Sequence, residues 1–220
     1  MATEITIPIG GISLEGTLSV PDRAVGLILF AHGSGSSRHS PRNRHVAALF
    51  NERALGTLLF DLLTAEEERI DEIDATLRFD VEMLAERLIA ATDSILAMGS
   101  ARGLPVGYFG GSTGAAAALI AAARRPAQIA AVVSRGGRVD LAGASLPAVR
   151  APTLMIVGGD DISVLQMNRE AAARMTAPRE LIVIPGATHL FEEPGALDEV
   201  ARLAGSWFLD QFTEPHVKAS

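Results

Sequence analysis

Residues 108–114 read YFGGSTG and run straight into AAAALIAAA at 115–123. An apolar, strand-like run gives way to a helix-forming run of alanines, and one serine stands at the junction. A turn of small residues would look like this, with Ser112 capping the helix that follows. The same residues fit G-x-S-x-G, in which a strand turns so sharply into a helix that the serine is pushed outward under strain. Side chains flanking such a turn would collide with neighbouring elements, hence the glycines. The exposed hydroxyl would then lie beside helix N–H groups, which favour negative charge on a reacting oxygen. The pentapeptide is too short to decide the matter alone, so its partners elsewhere in the chain must.

Serine is a weak nucleophile without a base, and the base needs a carboxylate to orient it. In α/β-hydrolases, whose serine turn this stretch resembles, these follow in the order serine, acid, histidine, each on a loop after a strand. The stretch TLMIVGGDDISV (153–164) places Asp160 and Asp161 just past an apolar run. LIVIPGATHLF (181–191) places His189 just past the next one, and the only later histidine is His216 near the C-terminus. The Gly158-Gly159 turn keeps Asp160 close to the strand and pushes Asp161 over the sheet edge. Asp161 is therefore the expected partner, with a turn or cap role for Asp160.

An oxyanion needs a second N–H donor from the loop after an early strand. LILFAHGSGSSRHS (27–40) offers the N–H of Ser34, to be paired with that of Thr113. His32 reads as a loop former, and His39 and His45 as surface or helix-face residues. GSGSSR resembles a phosphate loop only superficially. No Gly-Lys pair follows it, and Arg38 stands where a dinucleotide fingerprint needs its third glycine.

The rest of the chain supplies a frame for these loops. Residues 3–20 alternate around Gly10-Gly11 as a β-hairpin would. Apolar runs at 25–32, 56–63, 105–110, 130–135, 152–159 and 180–186 read as strands buried on both faces. Helical stretches lie between and after them, at about 42–53, about 80–98, 113–124, about 164–175 and 195–212. Strand alternating with helix predicts an α/β protein: a mostly parallel sheet of seven or eight strands with helices on both faces and an antiparallel hairpin in front. One domain is expected over 1–212, with a flexible tail at 213–220. The acid-rich segment 64–80 reads as a solvated loop and first helical turn, although it follows a strand's carboxyl end, where such sheets bind ligands.

Composition narrows the function. With 220 residues and 48% hydrophobic content the chain can bury one sizeable core. A net charge of −7 argues against nucleic acid or an anionic membrane as partner. Without cysteine, disulfides, thiolate nucleophiles and cysteine metal sites are excluded. The N-terminus has no secretory pattern and no run approaches membrane-spanning length, so a soluble cytoplasmic protein is the expectation.

Taken in order, HGSGSSRHSPRN, LLFDLLT, GYFGGSTGAAAAL, VVSRGGRVDLAG, IVGGDD and PGATHLFEEPGAL resemble the α/β-hydrolase superfamily. The resemblance is greatest to its small dienelactone-hydrolase-like branch. It implies a sheet of about eight strands and ester or lactone hydrolysis without metal or organic cofactor, on Ser112, Asp161 and His189. Dienelactone hydrolase proper uses a cysteine nucleophile, so Ser112 favours a serine carboxylesterase acting on a small-molecule ester. The short stretch between VVSR and TLMIV leaves no room for a large cap domain. Some relatives are joined to a phosphoribosyltransferase-like domain, to which nothing here corresponds.

Arg38, Arg135 and Arg138 fall on ligand-side loops. They could hold a substrate carboxylate or phosphate, or pair with the 64–80 acids or Asp140. Two other readings of the whole are a thioesterase or acyltransferase with the same triad, and a binding protein on a hydrolase scaffold.

Overall fold

A computed structural model describes residues 2–213. Most of the tail read as flexible, 214–220, and with it His216, lies outside the described residues. Strands β1 (Ala2–Ile9) and β2 (Ile12–Ser19) pair antiparallel. They turn at Gly10 and Gly11, whose positive φ angles of 51° and 100° suit glycine. Six strands follow: β3 (Gly26–Ala31), β4 (Leu55–Phe60), β5 (Val106–Gly111), β6 (Ile129–Arg135), β7 (Thr153–Gly158) and β8 (Arg179–Ile184). The sheet order is β1-β2-β4-β3-β5-β6-β7-β8, and every pairing from β4 to β8 is parallel. All residues of β3, β4, β5 and β7 are buried, which is why they read as continuous apolar runs.

The helices are α1 (Pro41–Glu52), α2 (Ala65–Asp74), α3 (Val81–Ala97), α4 (Thr113–Arg124), α5 (Ile162–Arg174) and α6 (Ala196–Thr213). One core lies under α3 and α4, against Leu29, Leu58, Tyr108 and Val132. The other lies under α1 and α6, against Ile28, Phe30, Phe109 and Val133. Alternation along each strand feeds the two cores in turn. Every residue of α4 from Thr113 to Ala122 is buried, and its alanines let the helix sit close to the sheet. On the opposite face Phe30, Phe50, Phe109 and Phe208 form a tilted and edge-to-face cluster with centroids 4.9–5.9 Å apart.

Segment 64–80 is more ordered than the solvated loop and first helical turn expected of it. It contains α2, started by a capping box in which Thr64 and Glu67 satisfy each other's backbone N–H groups, and a 3-10 turn at Leu77–Phe79. Arg87 of α3 grips Glu67 at 2.6 Å, and Arg78 donates to the buried Asp71 at 2.5 Å through Nε. The first pair ties the acidic segment to α3, and the second folds the segment onto itself. Between β6 and β7 there is only a run of 3-10 turns at Val139–Ala148, and no large further domain occurs among the described residues. Nor is any described helix long and apolar enough to cross a membrane.

Candidate active site

The turn between β5 and α4 holds Ser112 at φ 49°, ψ −123°. That left-handed conformation costs a non-glycine residue about 1–3 kcal/mol and persists only where its surroundings impose it. The surroundings are specific. The Ser112 N–H donates to the Arg135 carbonyl at 3.4 Å, and its own carbonyl accepts from the N–H groups of Arg138 (2.9 Å) and Ala115 (3.1 Å). A side chain on Gly114 would overlap the carbonyl oxygens of Ala31 and His32. One on Gly110 would stand 2.5 Å from Ala115 Cα. The glycines of the motif are thus there for space: the first turn of α4 is pressed against the end of β3. Ser112 stands at the N-cap position of α4 yet makes no capping hydrogen bond, so its hydroxyl is left for other use.

The loop after β3 touches this turn directly. A Cβ on Gly33 would lie 2.8 Å from that of Ser112, and the hydroxyls of Ser34 and Thr113 are 3.1 Å apart. His32 fixes the loop. Its Nε2 accepts the Leu62 N–H at 3.0 Å, which leaves the ring proton on Nδ1 to donate to the Gly33 carbonyl, also at 3.0 Å. Burial holds its pKa below the ordinary histidine value. With both nitrogens engaged, His32 has the structural role expected of it.

Asp161 and His189 meet across the ends of β7 and β8, with His189 Nδ1 and Asp161 Oδ2 at 2.6 Å. The carboxylate is 11% exposed and makes no cap on α5, so its hydrogen bonding serves the imidazole. Asp160 is exposed, and its N–H donates to the Ala187 carbonyl. The histidine loop is braced by Glu193, whose Oε1 accepts from the Thr188 N–H (3.0 Å) and Oγ1 (2.5 Å). The end of β6 connects this pair to the serine turn: a Cβ on Gly136 would stand 3.5 Å from His189 Nδ1. Among the described residues no hydrogen bond joins the Ser112 hydroxyl to His189.

The three arginines divide. Arg38 forms an ion pair with Asp61, reinforced by its own N–H to the same carboxylate at 2.7 Å. Arg138 forks onto Asp140 with two bonds of 2.9 Å. Among the described residues Arg135 has no carboxylate partner, and its Nε and Nη1 are buried without a hydrogen bond. Beside Ser34 and Thr113 lies a cavity of about 100 Å³, walled by Leu62, Leu63 and Leu84 and rimmed by Glu68, Glu72 and Arg78. Segment 64–80 therefore contributes to the site. Arg42, in the first turn of α1, also comes to this edge, where its Nη1 meets Glu192 at 3.0 Å. No motif marks Arg42, because its position depends on how α1 docks.

The dienelactone hydrolase family model matches residues 56–211 of this α/β-hydrolase fold. The chain belongs to the dienelactone hydrolase family. A dienelactone hydrolase from Anabaena variabilis is 53% identical in its crystal structure, with a TM-score of 0.94, over 96% of this chain and 97% of that one. Two Mycobacterium tuberculosis proteins, whose names carry a provisional phosphoribosyl transferase assignment, are 53% identical over 96% of this chain. The match covers 47% of each, so the chain spans about half the length of these curated relatives. Est1E from Butyrivibrio proteoclasticus, 16% identical with a TM-score of 0.78 over 94% of this chain and 98% of that one, shares the fold. Family membership gives the chain the α/β-hydrolase fold over most of its length.

Proposed function

We propose that this family member is a serine carboxylic ester hydrolase acting on small or medium esters or lactones. The observation that carries the reading is the 2.6 Å bond from Asp161 to His189 Nδ1 at the same sheet edge as the strained, uncapped Ser112. With Nδ1 held as donor, the other imidazole nitrogen is the basic one. It takes the Ser112 proton as the oxygen attacks the ester carbonyl, and Asp161 stabilises the imidazolium. The oxyanion accepts from the N–H groups of Ser34 and Thr113, each worth about 3 kcal/mol in the transition state. His189 returns the proton to the leaving alcohol. It then deprotonates a water that attacks the acyl-enzyme, releasing the acid and restoring Ser112.

A fluorophosphonate probe is expected to label Ser112 in the intact protein and not in Ser112→Ala. p-Nitrophenyl acetate or butyrate should be hydrolysed only by the former. Labelling elsewhere, or equal hydrolysis by both, would remove Ser112 from the reaction. The same groups would serve a thioesterase or acyltransferase. A kcat/KM for acyl thioesters well above that for matched oxygen esters would move the assignment there. The phosphoribosyl transferase reading has only two relatives' names behind it, and both proteins extend well beyond the match.

A further inference from the structure

We propose that the cavity between Thr113 and α2 is the acyl pocket of this site, that it takes a short, uncharged aliphatic chain, and that Leu84 and Leu63 set the chain length. The proposal rests on the reading of Ser112 as nucleophile and His189 as base, and it adds which part of the ester lies where.

The sheet order gives the direction. Ser112 follows β5, with β3 and β4 on one side of it and β6, β7 and β8 on the other. His189 belongs to the second side: it follows β8, and its ring lies against Gly136 at the end of β6. The cavity belongs to the first, over the ends of β3 and β4, where Gly33, Ser34, Leu62, Leu63 and Thr113 line it. In the tetrahedral intermediate the oxyanion points to the N–H groups assigned to it, those of Ser34 and Thr113. The leaving oxygen faces His189 to receive its proton, which directs the alcohol towards β6. The acyl carbon is the substituent that remains. It is turned away from the base, towards β3 and β4, and the cavity opens there.

Size and chemistry then choose the chain. A dry cavity of roughly 150 Å³ accepts a benzene ring, so one of about 100 Å³ takes about four carbon atoms. Leu84, the one lining residue from α3, is buried and closes the cavity on the side of the core. The walls are fixed by Arg87, which donates to the Leu62 carbonyl and to Glu67 of α2, both at 2.6 Å. Polar groups around the space are already engaged: Asp61 with Arg38, Asp71 with Arg78, and the hydroxyls of Ser34 and Thr113 with each other. Both nitrogens of His32 are engaged as well. A charged or hydrogen-bonding acyl group would lose water there and find these partners taken, whereas methylenes lose nothing by entering. Glu68 and Glu72, exposed at the rim, further oppose an anionic chain.

The test measures kcat/KM for p-nitrophenyl acetate, butyrate, hexanoate and octanoate, which share one leaving group, so that differences report the acyl chain. In wild type the value should rise roughly 10-fold from acetate to butyrate, at about fourfold per buried methylene. It should fall roughly 10-fold or more from butyrate to hexanoate, as the chain outgrows the pocket. Leu84→Ala takes carbons from the wall and should raise the hexanoate-to-butyrate ratio roughly 10- to 100-fold. Leu63→Phe, at a half-buried position, narrows the space and should lower the butyrate-to-acetate ratio about 10-fold. If Leu84→Ala does not fold, Leu63→Phe carries the test alone. A flat profile in wild type, or a folded variant that leaves the profile unmoved, overturns the pocket. Methyl hydrogen succinate has the same four acyl carbons as methyl butyrate and should react roughly 10-fold more slowly or worse; parity overturns the exclusion of charge. Ser112→Ala is assayed alongside. Hydrolysis that survives in it overturns the reading of the nucleophile and this assignment with it, whereas serine-dependent hydrolysis with an unmoved profile overturns the pocket alone.

Discussion

The hydroxyls of Ser34 and Thr113, 3.1 Å apart, tie the loop after β3 to the first turn of α4. The two N–H groups assigned to the oxyanion are therefore fixed relative to each other by side chains that need not touch substrate. Ser34→Ala and Thr113→Val keep both N–H groups and lose the tie. Each should lower kcat for p-nitrophenyl acetate about 3- to 10-fold with little change in KM, a part of what losing a donor costs. The double variant should fall little further, because the two changes break one bond. Additive losses would mean that the hydroxyls act separately.

Asp161, and not its neighbour Asp160, is bonded to the imidazole. Asp161→Asn should cost about 10⁴-fold in kcat, through the wrong tautomer and an unstabilised imidazolium. Asp160→Asn, an exposed change, should stay within about threefold, since surface substitutions away from such networks have small effects. A reversed pattern in steady-state kinetics would exchange the two roles.

Ser112 is held at a φ of 49°, which alanine tolerates no better and glycine tolerates freely. Both Ser112→Ala and Ser112→Gly should lose several powers of ten in kcat. In thermal unfolding, however, the glycine variant should be more stable than the alanine variant by about 1 kcal/mol, the strain relieved less the entropy glycine adds to the unfolded chain. Alanine proving the more stable would show that the turn stores no strain at this residue.

The Arg87 guanidinium holds the Glu67 carboxyl down to about 2, against an ordinary 4.5. A depressed carboxylate stabilises the fold above its unfolded pKa and loses that contribution as pH falls towards its folded one. Wild type should thus exceed Glu67→Gln in urea-unfolding stability by about 1–2 kcal/mol at neutral pH, solvent screening having reduced the full linkage value. Glutamine keeps the capping geometry, so the difference isolates the charge. It should shrink from about pH 4.5 and vanish near pH 2. A gap that persists at pH 2 would assign the effect to packing.

Much of this was legible in the chain because it is written in local patterns. The buried strands are uninterrupted apolar runs, and Ser112, Asp161 and His189 each follow one at a turn marked by glycine. The acidic helix α2 was not legible from periodicity, since Ala65–Asp74 carries few apolar residues and is held by ion pairs rather than by an apolar face. Its start was there to be read, in Thr64 followed three residues later by Glu67. The arginines show where sequence reading stops. Arg138 finds Asp140 two residues on, whereas Arg38 reaches Asp61 and Arg42 reaches Glu192 across the fold. Whether an arginine is spent on an ion pair or left for a ligand depends on distances that only docking of the elements sets.

The sheet order has a consequence for how the chain matures. β5, which leads into the serine, lies near the middle, but the loop that carries His189 follows β8, the outermost strand on its side and the last to be synthesised. On the proposed assignment, until β8 docks on β7 the serine would have its oxyanion donors and no base. Under that assignment a nascent or half-refolded chain would not hydrolyse esters, however complete its centre. Recovery of hydrolysis during refolding would clock the arrival of that final edge strand.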